Sequence, residues 1–164
     1  MPDSSMALPI GRRALVRAAA VAMASAPLLR IERLAAGEPD PEIPNEIVAQ
    51  LIRARIGDRK PVRGKVTLDM PAAAEDGRIV PVIIEGLELP MTPAQHVKSV
   101  YLIVDHNPDP LVGAFHLSPQ LGRLEIQTRI KMKRLSWVRC LAEMNTGEVW
   151  ADYARVSVSL NGCG

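Results

Sequence analysis

Two cysteines, Cys140 and Cys163, and three histidines, His96, His106 and His116, are the residues best equipped for chemistry in this 164-residue chain. Cys163 stands in the terminal run Ser159-Leu160-Asn161-Gly162-Cys163-Gly164, between two glycines. Three residues beyond Leu160 carry the thiol roughly 10 Å outward. Glycine on either side keeps the segment thin and opens backbone conformations closed to other residues. Such a tail fits a narrow pocket of another protein and is badly suited to building one of its own. A catalytic cysteine needs a base, a cation or a helix N-terminus to favour its thiolate. The nearest fixed charge in sequence here is the C-terminal carboxylate, which disfavours it. The expected role is therefore a carried group, activated by whichever active site the tail enters. A frayed end without a role, or a disulfide between two chains, is the alternative.

The histidines recur every ten residues, and with Met91 and Cys163 they suggest a copper site as one reading. Such sites place a His and a Met shortly after the Cys, whereas only Gly164 follows here. The expectation is no metal site and no cofactor, with His96 and His106 at strand ends or in loops and His116 a strand residue. No Gly-rich phosphate loop, Ser/His/Asp set or CxxC pair is present, and Glu75-Asp76 sit beside Gly77 in a turn.

The elements that must position the thiol are mostly strands. Asn45 is placed to cap a short helix bearing Ile47, Val48, Leu51, Ile52 and Ile56 on one apolar face, with Gly57 as its stop. Arg53, Arg55, Arg59, Lys60, Arg63 and Lys65 then form a basic cluster, read as a solvated face or, alternatively, a docking patch for an acidic partner. From Gly64 the hydrophobic period becomes two. Seven segments follow: KVTLDM, IVPVIIEG, VKSVYLIVD, LVGAFHL, RLEIQTRIKM, SWVRCLAEM and EVWADYARVSVSL. Short Pro, Gly and Asn/Asp turns separate them, the rhythm of an all-β, immunoglobulin-like antiparallel β-sandwich of about seven strands with a short N-terminal helix. Pro81 marks the second strand as an edge or a bulge.

Asn145-Thr146-Gly147 is a hairpin signal. With Thr146-Gly147 as a two-residue turn, Cys140 faces Tyr153, and Cys163 lies ten residues further on, about 33 Å at 3.3 Å per residue. A disulfide needs Cα atoms within about 7 Å. Cys140 therefore reads as a small core residue, alternating with Val138, Ala142 and Met144, and Cys163 as the accessible thiol.

Residues 1–36 carry Arg12, Arg13, Arg17, Arg30 and Arg33 against Asp3 and Glu32, a charge of +3 beside a total of +2 for the whole chain. The remainder, at −1, lacks the basic excess of a phosphate-tracking surface, so nucleic acid is not an expected partner. The same segment has the charged start, modest apolar stretch and small residues of an export signal, with Arg12-Arg13 of the twin-arginine kind. Its apolar run is too short to span a membrane. The expected organisation is an export signal over 1–36, a linker and short helix over 37–63, the sandwich over 64–160 and a C-terminal arm over 161–164.

Asn107-Pro108-Asp109-Pro110, Phe115-His116-Leu117-Ser118-Pro119 and the cysteine beside the C-terminus follow GKVTLDMPAAAEDGRIVPVII in the same chain. Together they make the chain from about Ile47 to Gly164 resemble the SoxY family, the sulfur-carrier subunits of the bacterial Sox thiosulfate-oxidising system. That resemblance implies an immunoglobulin-like sandwich, periplasmic export, pairing with a SoxZ-like subunit, and no catalysis by the chain itself. It also implies that Cys163 is the covalent attachment site for thiosulfate-derived sulfur, on an arm of Asn161, Gly162 and Gly164. The partners it implies are a c-type cytochrome, a manganese hydrolase and a sulfane dehydrogenase. The family arm reads Gly-Gly-Cys-Gly-Gly, so Asn161 replaces its first glycine and the last is missing. Cys140 stands where the family usually has a small apolar residue. An adaptor associated with a periplasmic quinoprotein dehydrogenase is the alternative role.

Overall fold

The computed structural model describes residues 44–159. Helix α1 (Glu46–Ile56) starts where the Asn45 Oδ1 accepts a hydrogen bond from the Val48 N–H at 3.0 Å. It stops at Gly57, whose φ of 66° suits glycine and whose N–H donates to the Arg53 carbonyl. Both caps are those the sequence specifies. Val48 and Ile56 are buried, with Leu51 and Ile52 packed beside them. Ile47, expected on the same face, is instead 70% exposed. Neighbouring helical residues project about 100° apart, so a buried stripe through Val48 turns Ile47 away.

The strands are β1 (Val62–Arg63), β2 (Val66–Asp69), β3 (Ala73–Ala74), β4 (Val80–Gly86), β5 (Val97–Val104), β6 (Leu111–His116), β7 (Glu125–Ile130), β8 (Ser136–Met144) and β9 (Val149–Val158). Seven of them correspond to the expected strands. The other two, β1 and β3, are two-residue pieces that lie parallel to β9, pairing Val62 with Trp150 and Ala73 with Ser157. Two residues carry no detectable period, which is why sequence alone does not reveal them.

The fold is an all-β sandwich with one short helix. Strands β2, β4 and β7 form the smaller sheet, and β1-β9-β8-β5-β6, with β3 also on β9, form the larger. Beyond β3, the chain crosses between sheets after β4, β6 and β7. Val80, Val82 and Ile84 of β4 meet Val100, Leu102 and Val104 of β5 and Val138, Cys140, Ala142 and Met144 of β8 in the core between the sheets. A second cluster fills the outer face of the large sheet, where Tyr101, Ile103, Leu141, Val149 and Ala151 receive the apolar side of α1. Strands β5 and β8 are thereby covered on both faces, so their burial does not alternate.

The β8–β9 register differs by one residue from the expected one. Cys140 opposes Asp152, not Tyr153. The hairpin loop is Asn145-Thr146-Gly147, three residues closed by Met144 and Glu148, with the Met144 N–H donating to the Glu148 carbonyl. Gly147, at φ 98°, takes the third position, where the three-residue loop turns into the left-handed region. Cys140 keeps its predicted place in the core, because its face is set by its own strand. Pro81 also differs from expectation, since β4 is the central strand of its sheet. β2 pairs only as far as Ile83, so Pro81 has Arg129 of β7 opposite and no neighbour on the other side.

The basic cluster is a solvated face, as expected, with only Arg59 of its six residues half-buried, although several members also have partners. Arg59 bonds the buried Glu143 carboxylate and donates to the Ile56 and Gly147 carbonyls. Arg63 reaches Asp152 and lies over Tyr153, and Lys65 lies 4.7 Å from the Trp150 ring centre. Beneath α1, Arg139, only 1% exposed, makes a two-pronged pair with Asp105, both bonds 2.7 Å. Asn45 ties the helix to the same point by donating its Nδ2 to the Asp105 carbonyl.

Candidate functional site

Cys163, Asn161, Gly162 and Gly164 lie outside the described residues, as does the export segment 1–36. What the structure defines is the root from which the terminal residues leave. Strand β9 ends there in parallel pairing with β3. The Ser157 N–H donates to the Ala72 carbonyl (2.9 Å) and the Ser159 N–H to the Ala74 carbonyl (3.1 Å). The Ser159 hydroxyl adds a bond to the Glu75 carbonyl at 3.0 Å. Cys163 stands four positions after Ser159, a span of at most about 14 Å.

The loop after β3 is shaped by Asp76, whose carboxylate accepts from the Arg78 backbone N–H and guanidinium. Those bonds hold the Asp76 carboxyl below the usual carboxylate range. Gly77 then passes so close to β9 that a Cβ there would lie 2.2 Å from the Met132 carbonyl oxygen and 2.6 Å from Val158 Cγ1. The Met132 N–H donates to the Gly77 carbonyl at 2.7 Å. Asn107 holds the same segment from the other side, donating Nδ2 to the Lys131 carbonyl (2.7 Å) and accepting from the Lys133 N–H (3.3 Å). A continuous path of contacts thus runs from Asn107 through Met132 and Gly77 to Val158. An open cleft of about 580 Å³ adjoins it, lined by residues including Ile47, His106, Asn107, Pro108 and Arg134.

Of the segments singled out in the sequence, GKVTLDMPAAAEDGRIVPVII supplies the root itself through Ala72, Ala74, Glu75 and Gly77, and Asn107-Pro108-Asp109-Pro110 braces it through Asn107. Phe115-His116-Leu117-Ser118-Pro119 lies at the other end of β6, where the Leu117 N–H donates to the Lys98 carbonyl and His116 Nδ1 lies 3.2 Å from Ser99 Oγ. His96, in the loop before β5, has Nδ1 3.2 Å from the Thr92 carbonyl oxygen, and His106 follows β5, with its N–H donating to Ser136 Oγ. The three histidines are therefore held in separate local networks. Among the described residues no three His, Cys, Asp or Glu side chains gather as a metal-binding group. Gly77 is the root residue that sequence reasoning missed. Its signal was the turn Glu75-Asp76-Gly77, which shows a glycine without showing what presses on it.

Cys140 is chemically set apart from the terminus. It is completely buried, and burial, reinforced by the negative charge of Asp152 opposite, pushes its thiol pKa far up. A thiol in that state is neither nucleophile nor ligand. Glu143, the other buried acid on β8, is held ionised. Burial pushes its pKa up, but the bonds and charges of Arg59 and Lys98 outweigh this and hold it below the usual range. These groups secure the fold on the helix side of the sheet, away from the core face of Cys140.

The family described as sulfur oxidation protein SoxY matches residues 52–163. Among solved structures, the sulfur carrier protein SoxY from Chlorobium limicola f thiosulfatophilum is similar at 19% identity and a TM-score of 0.57, over 69% of this chain and 96% of that one. A superoxide reductase (neelaredoxin) from Ignicoccus hospitalis is similar at 13% identity and a TM-score of 0.53, over 58% of this chain and 80% of that one. At these identities the likenesses are of fold. No curated protein matches the chain in sequence. No helix among the described residues is long and apolar enough to cross a membrane.

Proposed function

The chain belongs to the SoxY family, and we propose from that membership that it is a non-catalytic sulfur carrier which holds thiosulfate-derived intermediates on Cys163. The observation that carries this reading is the contrast between the two thiols. Cys140 is sealed in the core, while Cys163 stands four positions beyond a strand end pinned by Ser159. A fixed root and a narrow end of about 14 Å suit presentation to the recessed active site of another protein.

The chemistry balances as a relay. The Cys163 thiolate joins the outer sulfur of thiosulfate, giving a Cys–S–S–SO₃⁻ adduct and releasing two electrons to a c-type cytochrome. Water then cleaves the S–SO₃ bond in a manganese hydrolase, releasing sulfate and two protons and leaving Cys–S–S⁻. A sulfane dehydrogenase oxidises the remaining sulfur. In this reading the chain is exported to the periplasm by its twin-arginine-like segment, 1–36, and works as a heterodimer with a SoxZ-like subunit. Asn161, Gly162 and Gly164 form the carrier arm, and Asn161 makes it bulkier than one of glycine alone.

The test is incubation with thiosulfate and the cognate cytochrome, followed by peptide mass spectrometry. The thiosulfate adduct is expected on the C-terminal peptide of the wild type and not on Cys163→Ser. An adduct that persists in Cys163→Ser overturns the assignment. Asn161, where the family arm carries glycine, favours a second reading, an adaptor beside a quinoprotein dehydrogenase, for which the same incubation yields no adduct.

A further inference from the structure

The large sheet ends in β6, and three of its features distinguish this strand from the other sheet edges. It carries no Asp, Glu, Lys, Arg or Pro in Leu111-Val112-Gly113-Ala114-Phe115-His116. Its hydrogen-bonding pattern leaves a row of main-chain groups facing outward. The Leu117 N–H donates to the Lys98 carbonyl, and the paired residues continue as Ser99 with His116, Val100 with Phe115, Tyr101 with Ala114 and Leu102 with Gly113. Antiparallel pairs alternate between bonded and non-bonded. Gly113, Phe115 and Leu117 therefore turn their N–H and C=O groups to β5, and those of Ala114 and His116 point away from it. Both residues are exposed, and no described strand pairs with that side.

The remaining edges are blunted. Along β2, the Leu68 N–H is taken by the Asp152 carboxylate at 2.8 Å. β7 is studded with Glu125 and Arg129. β1 and β3 are two residues each. Short edges, charges and covering groups are the devices that prevent one sheet from adding to another, and from Gly113 onward β6 has none of them. A shift in the β5–β6 register at Leu102/Ile103 confines the regular stretch to this part. Beside it Val112, Phe115 and Leu117 are only partly buried, and Leu121, just after β6, is 48% exposed. The surface thus combines an open main-chain ladder with an apolar border.

We infer that the Ala114–His116 edge of β6 is the docking site for the second subunit, which adds an uncharged edge strand of its own antiparallel to it. The inference rests on the pairing stated under Proposed function and specifies where that pairing occurs. Alternating donors and acceptors along an extended backbone are matched by another extended backbone, so the partner is a β protein with an exposed strand. Ala114 offers no bulk against its approach, and the contact between His116 and Ser99 holds the imidazole over the sheet, clear of the edge.

The test uses the full chain co-expressed with the SoxZ-like subunit of the same host. Amide exchange by NMR is compared between the complex and the free chain. Exchange at Ala114 and His116 is expected to slow at least about tenfold in the complex, with Phe115 unchanged. Ala114→Pro, which removes one outward donor, and Ala114→Glu, which places a charge on the edge, are each expected to weaken the complex about 100-fold. Gln127→Lys on β7 is expected to leave it intact, and thermal melting of each free variant establishes that it folds. A complex of normal affinity with Ala114→Glu and unprotected Ala114 and His116 amides overturns the inference while the pairing stands. Self-association through this edge, with the second subunit bound elsewhere, overturns it too. Absence of any complex with the wild type overturns the pairing itself.

Discussion

Cys140 and Asp152 face each other across the β8–β9 hairpin, a buried thiol opposite a carboxylate that is already committed to Leu68 and Arg63. Burial, reinforced by that carboxylate, makes one of the chain's two cysteines inert. In Cys163→Ser, iodoacetamide labelling of the native protein is expected to be at least about 100-fold slower than in denaturant, because the thiolate is scarce and enclosed. Rapid native labelling of that variant would show that Cys140 also competes for sulfur.

Asp152 itself closes one side of the sandwich. Replacing it with Ala leaves the Leu68 N–H without its acceptor and should cost about 1–3 kcal/mol. Urea denaturation measures the loss. The same substitution removes the negative charge opposite Cys140, so labelling of Cys140 should accelerate by more than the lost stability alone accounts for.

Gly77 sets the position of the arm root. In Gly77→Ala the new methyl meets the Met132 carbonyl and Val158 at distances no packed atom tolerates, and backbone is what must move. The expected cost is about 1–3 kcal/mol. Faster amide exchange at Ser157 and Ser159 would locate the damage at the root, whereas a uniform change across the sheets would refute that location.

Glu143 gives stability a defined dependence on pH. Its folded-state pKa is lowered, so the unfolded chain takes up the proton first as pH falls. The stabilisation is therefore present in full above the unfolded value, about 4.3, and is lost as pH falls through the lower folded value. Glu143→Gln should cost about 1.5–3 kcal/mol at pH 7, with a flatter decline in urea midpoint below about pH 4.3. Parallel pH profiles for the two proteins would contradict this.

Asp105 and Arg139 are a buried pair under α1, with Asn45 fastened to the same residue. Asp105→Asn removes the carboxylate charge facing the buried guanidinium and should cost about 3–5 kcal/mol. The double variant Asp105→Asn, Arg139→Met is expected to recover much of that loss. A double-mutant cycle on denaturation free energies checks it, and additive costs would contradict the coupling.

The sequence by itself determined whatever depends on near neighbours along the chain. Asn45 and Gly57 end the helix because their side chain and backbone act within one turn. The seven main strands follow from a period-two pattern, and Cys140 is a core residue because Val138, Ala142 and Met144 share its side of β8. The family was also legible there, since it is a matter of residue order. Tertiary structure decided what depends on distant partners. The one-residue slip that gives Cys140 its Asp152 neighbour comes from a three-residue loop closing on Gly147, and β1 and β3 exist only because β9 offers them an edge. Arg59 is drawn to Glu143 and Gly77 is pressed between Met132 and Val158, across separations of dozens of residues that leave no local pattern. The open edge of β6 likewise follows from sheet order, because a strand's sequence states its two faces but not which neighbour lies on either side.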